Sequence, residues 1–172
     1  MKIEIDLLAD YADAEFDGES CNGASLMGTL RALDAAQAAA ESTFEGYSAW
    51  SVALHVAYCK WAVAKGMLDD ADRAALAAEL GPYPHPIGAG GFAAPLDSSA
   101  EAWEACLAYL ARVHGVAMRV VREADDAEVE REFALWKMPM GKAIVWLCGH
   151  DSYHTAQIRS MGLPGLCGKR AF

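Results

Sequence analysis

Apolar residues at Leu26, Leu30, Leu33, Ala36, Ala40 and Phe44 recur every three or four positions, the period of one helix face. Asn22 or Ser25 can cap this first helix, and Gly46 lies beyond its end. A second pattern runs from Ser48 or Ser51 to Gly66 and is apolar on nearly every side (Trp50, Val52, Leu54, Val56, Tyr58, Trp61, Val63), which predicts a centrally buried helix. Asp69 or Asp70 caps a short helix through Leu76 and Leu80. The run Gly81-Pro82-Tyr83-Pro84-His85-Pro86, followed by Gly88-Ala89-Gly90-Gly91, continues no regular element, so 81–97 reads as a long connection. Ser98 and Glu101 have the spacing of a capping box, and Trp103, Cys106, Leu107, Leu110, Val113, Ala117 and Val121 form the stripe of a third helix. That helix frays into the acidic run from Glu123 to Glu132. Pro139 suits the first turn of a fourth helix, which carries Ile144, Leu147, Ile158 and Met161 before Gly162 and Pro164 stop it. Four helices with one long link predict an all-α four-helix bundle containing a crossover rather than simple up-down-up-down order.

Composition supports this reading. Alanine is abundant and β-branched residues are thinly spread, and 172 residues suit a single domain spanning 1–172. The net charge of −10, with no Lys/Arg cluster, argues against nucleic acid and anionic membrane as partners. An acidic N-terminus without the order of a signal peptide, and no long uninterrupted apolar run, point to a cytoplasmic protein. The five cysteines are odd in number and contain no C-x-x-C, which fits neither a disulfide framework nor a cysteine-only zinc site.

The histidines are more informative. At about 100° per residue, His150 and His154 fall within the apolar stripe of the fourth helix, close enough to share a tetrahedral metal. His55 stands among Val52, Val56 and Cys59 on the second helix. Three neutral imidazoles from two helices would leave a fourth coordination position open, although the same pair could instead hydrogen-bond inside the core. The segment His150-Asp151-Ser152-Tyr153-His154 lacks the glutamate of the H-E-x-x-H metalloprotease helix. Asp151 is therefore expected at a helix junction, or bonded to a metal ligand.

Gln157 can reach the rim of such a site, and His114 lies beside the third helix's stripe. His114 reads either as a core histidine or as a proton carrier. Cys59, one turn from His55, reads as a small core residue in preference to a further ligand, since a thiolate needs a nearby positive charge. Tyr58 and Tyr153 read as packing residues able to orient a substrate, and His85 as a solvent-exposed loop residue. The catalytic candidates are thus Gln157, Asp151, Tyr58 and His114.

Trp146-Leu147-Cys148-Gly149-His150-Asp151-Ser152-Tyr153-His154-Thr155-Ala156-Gln157-Ile158-Arg159 resembles the final helix of the DinB-like (YfiT-type) metalloprotein superfamily, which carries H-x-x-x-H followed by Gln-Ile. Ala53-Leu54-His55-Val56-Ala57-Tyr58, downstream of Trp50-Ser51, resembles the segment that supplies the family's third ligand. Two features differ: the interval from Trp50 to His55 is short, and Ala156 stands where many members have glycine. The resemblance implies an up-down-down-up bundle with the long link between helices two and three, and a divalent metal, zinc or nickel, on His55, His150 and His154. It further implies metal-dependent chemistry on a small-molecule substrate, of the thiol-dependent S-transferase or isomerase type, with a low-molecular-weight bacterial thiol as cosubstrate. No cysteine of the chain is placed to act as that thiol. A homodimer, formed through bundle helices such as the apolar second one, is also implied. The alternatives are a non-catalytic metal- or ligand-binding stress-response protein and a metal-dependent hydrolase.

Overall fold

The computed structural model describes residues 2–68 and 73–166. Its elements in chain order are α1 (Lys2–Asp17), α2 (Leu26–Leu30), α3 (Ala35–Ala39), α4 (Ala49–Met67), α5 (Ala74–Leu80), a single 3-10 turn (Ala89–Gly91) within the expected long connection, α6 (Ala100–Glu123), α7 (Asp126–Glu130), β1 (Glu132–Phe133), β2 (Met138–Pro139) and α8 (Met140–Arg159). The all-α class read from the sequence is therefore the class of the fold. The long helices α1, α4, α6 and α8 form a ring in which α4 packs on α6 and α8, and α1 closes against the same two.

The first expected helix is the main correction. Residues 26–44 form two short helices, because Asp34 opens a new capping box with Gln37 and interrupts the first turn started by Ser25. Ala36 and Phe44, assigned to an apolar stripe, are exposed. The helix that occupies this place in the ring is α1, which the acidity of residues 1–6 concealed. Its buried residues Ile5, Ala9, Ala12 and Phe16 nevertheless keep helical spacing.

Helix α4 matches its sequence reading. Ser48 caps it by accepting from the Ser51 amide, and nearly all of its surface is covered. Helix α6 starts one residue later than expected, since Ser99 rather than Ser98 caps it, accepting from Ala102. The candidate caps Asp69 and Asp70 lie outside the described residues, although α5 follows them as predicted. The acidic run does not simply fray. Asp125 caps α7, and the chain then makes a two-stranded antiparallel hairpin in which Glu132 pairs with Pro139 and Phe133 with Met138. Gly66 permits this hairpin to dock, because a Cβ there would stand 2.6 Å from the Phe133 ring. Pro139 precedes the first residue of α8 instead of sitting inside its first turn.

The apolar core falls into two clusters stacked along the helices. One contains Trp50, Leu54, Trp103, Leu110 and Ile158. The other contains Val63, Met67, Val116, Met140 and Ile144. Between them lies a level of buried polar side chains: His55, Lys60, His114, His150, Asp151 and His154. Among the described residues no helix is long and apolar enough to cross a membrane.

Candidate metal centre

Four residues are little more than one helical turn, so His150 and His154 project side by side from α8. Their Nε2 atoms stand 3.0 Å apart. His55 reaches the same place from α4, its ring centroid 5.2 Å from that of His150 and 4.9 Å from that of His154. All three residues are buried. The sequence-predicted imidazoles thus converge.

Burial disfavours the charged form of each ring. It holds the His150 pKa down to about 2, and the neighbouring His154 and His55 rings and the Lys60 ammonium act in the same direction. His154 is lowered to about 4, again chiefly by burial, while its bond to Gln157 opposes the shift and His55 adds to it. His55 is lowered by burial, with the backbone of Gly91 and Gly90 opposing. At neutral pH all three are uncharged, so each ring keeps one nitrogen lone pair, as metal ligation requires.

Gln157 decides which nitrogen of His154 is free. Its Oε1 accepts from Nδ1 at 2.8 Å, so the Nε2 lone pair points at His150. Among the described residues no hydrogen bond satisfies the buried Nδ1 of His150, and the His55 ring has the backbone of Gly90 and Gly91 beside it. Gly91 lets the 81–97 connection lie against the site: at φ +80° it needs no Cβ, and one would stand 2.9 Å from Tyr58 and 3.2 Å from His55 Nδ1.

Cys59 stands beside the imidazoles. Its Sγ lies 3.7 Å from His55 Nε2, and donor atoms of His55, Cys59 and His150 all lie within 4.8 Å of one another. Across a tetrahedral zinc, two nitrogen ligands stand about 3.3 Å apart, and a nitrogen and a sulfur about 3.6 Å apart. The observed spacings, the neutral imidazoles and the absence of a carboxylate from the group therefore fit a zinc-like divalent ion. Without a metal, burial pushes the Cys59 thiol up to about 12, which Lys60 opposes and Asp151 reinforces.

The other candidates separate. Asp151 is fully buried and binds Lys60 Nζ at 2.8 Å, facing the core, with its second oxygen unpartnered. His114 stacks on Phe16 at 3.8 Å and bonds Asp13 at 2.7 Å, away from the imidazole cluster. His85, expected in solvent, is half-buried with Nδ1 unpartnered. Tyr58 lines a cavity beside His55, and Tyr153 is exposed with its ring edge-on to His154.

Two open cavities meet at the cluster. One, of about 760 Å³, has His55, His150, His154 and Gln157 along its floor and Tyr47, Phe92 and Tyr153 among its walls. The other, of about 570 Å³, lies on the far side of His55 and Trp146. Phe92 stacks on His55 at 4.3 Å, and Trp146 leans on His150 at 4.3 Å. The sequence reading missed Phe92, Trp146 and Lys60. Only the spacing of Trp146, one turn before His150, gave a local signal for any of them.

No curated protein and no solved structure matches the chain significantly. The sequence model of the DinB superfamily matches residues 22–158. The chain belongs to the DinB superfamily.

Proposed function

We propose that the protein is a divalent-metal-dependent enzyme acting on a small molecule, with His55, His150 and His154 as ligands of zinc or nickel. The observation that carries this reading is the 3.0 Å approach of two uncharged imidazole nitrogens at the floor of an open cavity, with a third imidazole facing them. Bound there, a divalent ion would supply Lewis acidity that lowers the pKa of water or of a thiol from solution. Gln157 holds His154 in the ligating tautomer. Phe92 and Trp146 flank the imidazoles with apolar surface and limit water beside them.

The proposed class is thiol-dependent S-transfer or isomerisation, with a low-molecular-weight thiol as cosubstrate. The test compares consumption of a thiol and a chlorinated nitroarene by metal-loaded and chelated protein. Equal rates would refute it. Elemental analysis of untagged protein tests the metal itself: one equivalent is expected in the wild type and none in His150→Ala. Cobalt substitution then reports on Cys59, since a sulfur-to-cobalt charge-transfer band would add it to the ligand set.

One observation favours a non-catalytic metal- or ligand-binding protein as the second reading. Among the described lining residues of the larger cavity, Glu45 is the sole carboxylate, leaving little acid–base machinery around the imidazoles. A chelation-independent background rate together with stoichiometric metal would select that reading. Hydrolysis of a small ester or amide is the third outcome that the same comparison can score.

The up-down-down-up order of a single bundle domain is supported by three sets of pairs. Asp10 meets Arg122 and Phe16 meets His114, which sets α1 against α6 in opposite directions. Trp50 meets Trp103 at one end of α4, while the charge on Lys60 acts on His114 further along, so α4 and α6 run together. Gly66 lies by Met140, Lys60 by Asp151 and His55 by His154, which opposes α4 and α8. A homodimer is supported by exposed apolar side chains on α1 and α8 (Leu7, Tyr11, Val145, Tyr153), since α4 itself is covered. Cytoplasmic placement accords with the buried, unpaired thiols Cys59, Cys106 and Cys148.

A further inference from the structure

The smaller cavity has a chemistry of its own. Its walls are Tyr58, Leu135, Trp136, Met138 and Trp146, and among the described residues its lining holds one cation, Lys142, and no carboxylate. In a chain of net charge −10 that combination is unusual. Lys142 is exposed and makes no ion pair or hydrogen bond among the described residues. It precedes Trp146 by one turn of α8, so ammonium and indole lie on the same helix face.

The aromatic wall is held in place by the hairpin. Phe133 is anchored against Gly66, and Trp136 meets it edge-on at 4.9 Å. Trp136 in turn meets Trp146 at 4.8 Å and 78°. Lys137, at φ 51°, is the one non-glycine residue with positive φ among those described. It closes the turn that presents Leu135 and Trp136, and left-handed backbone at such a residue persists where the surroundings enforce it. Leu135 and Trp146 stay 55% and 46% exposed, apolar surface that a bound molecule would cover.

We propose that this cavity binds a planar aromatic monocarboxylate, its ring between Trp146, Trp136 and Tyr58 and its carboxylate on Lys142. About 570 Å³ lies within the roughly 300–1,000 Å³ typical of small-molecule sites. A single lysine without an arginine fork suits one negative charge and gives a dianionic phosphate nothing for its second. The ring's far edge then faces Cys59 and His55, which belong to the same lining. If the metal reading holds, the carboxylate end anchors a substrate whose opposite edge meets the imidazoles, but the binding site itself does not rest on that reading.

The test is calorimetric titration with 2-naphthoate and with its uncharged analogue 2-naphthamide. The wild type should bind the acid about tenfold more tightly, the worth of one partly exposed charge-assisted hydrogen bond. Lys142→Met should remove that preference, leaving acid and amide bound equally, and its exposed position makes misfolding no explanation. Trp136→Ala should weaken both ligands. Equal binding of acid and amide by the wild type, a preference that survives Lys142→Met, or no binding of either at millimolar concentration would each overturn the proposal. The titrations are repeated after chelation. A preference retained there supports the Lys142 site even in protein that shows no turnover, whereas one that vanishes assigns the carboxylate to the metal and overturns it.

Discussion

Lys60 and Asp151 place opposite charges 2.8 Å apart with neither side chain exposed at all. Lys60 Nζ also sits 5.3 Å from the centre of the Phe16 ring, its only other described polar or aromatic contact, and one Asp151 oxygen has no partner. Replacing Lys60 by methionine keeps most of the volume and leaves an uncompensated carboxylate in the core. Breaking a pair of this kind costs about 3–5 kcal/mol, a large share of the roughly 5–15 kcal/mol that a domain possesses. Asp151→Leu strands the ammonium at a similar cost. The double variant strands neither charge, so it should recover most of the loss, with a coupling above about 2 kcal/mol in the cycle. Urea unfolding monitored by far-UV circular dichroism checks this through midpoints at constant m. A Lys60→Met loss under about 1 kcal/mol, or a double variant equal to the sum of the singles, would refute the view that these charges hold each other in a dry interior.

His114 is lowered in pKa mainly by burial, assisted by Lys60 and opposed by Asp13, so it folds neutral, donating Nε2–H to Asp13, and takes up a proton on unfolding. Its contribution is fully present above the unfolded value of about 6.5 and is lost as pH falls towards its lowered folded value. His114→Gln should therefore flatten stability against pH in that acid window by up to about 1.4 kcal/mol per pH unit, and an unchanged slope would count against it. Gly91→Ala forces a Cβ onto Tyr58 and His55 at φ +80°, with an expected cost of about 1–3 kcal/mol and a displaced connection, read by thermal unfolding and by weaker zinc binding. Gln157→Leu releases the His154 tautomer and should lower zinc affinity about 10–100-fold in a competition titration while leaving the fold intact.

What was legible in the sequence was local. The Ser48 cap, the all-round apolar run of α4 and the one-turn spacing of His150 and His154 depend on neighbours a few residues apart, and the structure reproduces them. Helix α1 was hidden because its charges dominate the first residues, although Ile5, Ala9, Ala12 and Phe16 kept the helical period. The split between α2 and α3 turned on Asp34, whose capping box outcompeted an apparently continuous stripe. The hairpin behind the aromatic wall has only two residues per strand, too few for any alternating pattern to register. Lys60 with Asp151, and Cys59 with the His150 imidazole of α8, come together between separate helices. No spacing rule encodes such a meeting.

The level of polar side chains between the two apolar clusters has a further consequence for how the helices are aligned. Either cluster alone would accept a neighbouring helix displaced by one turn, about 5.4 Å, since one aliphatic residue would replace another. The polar level accepts no such shift. Sliding α8 along α4 by a turn would drive Asp151 into aliphatic surface and carry His150 away from His55. The ionic and imidazole contacts therefore act as a detent that fixes the axial register of the helices, and two cavities that need several helices in step inherit their shape from it.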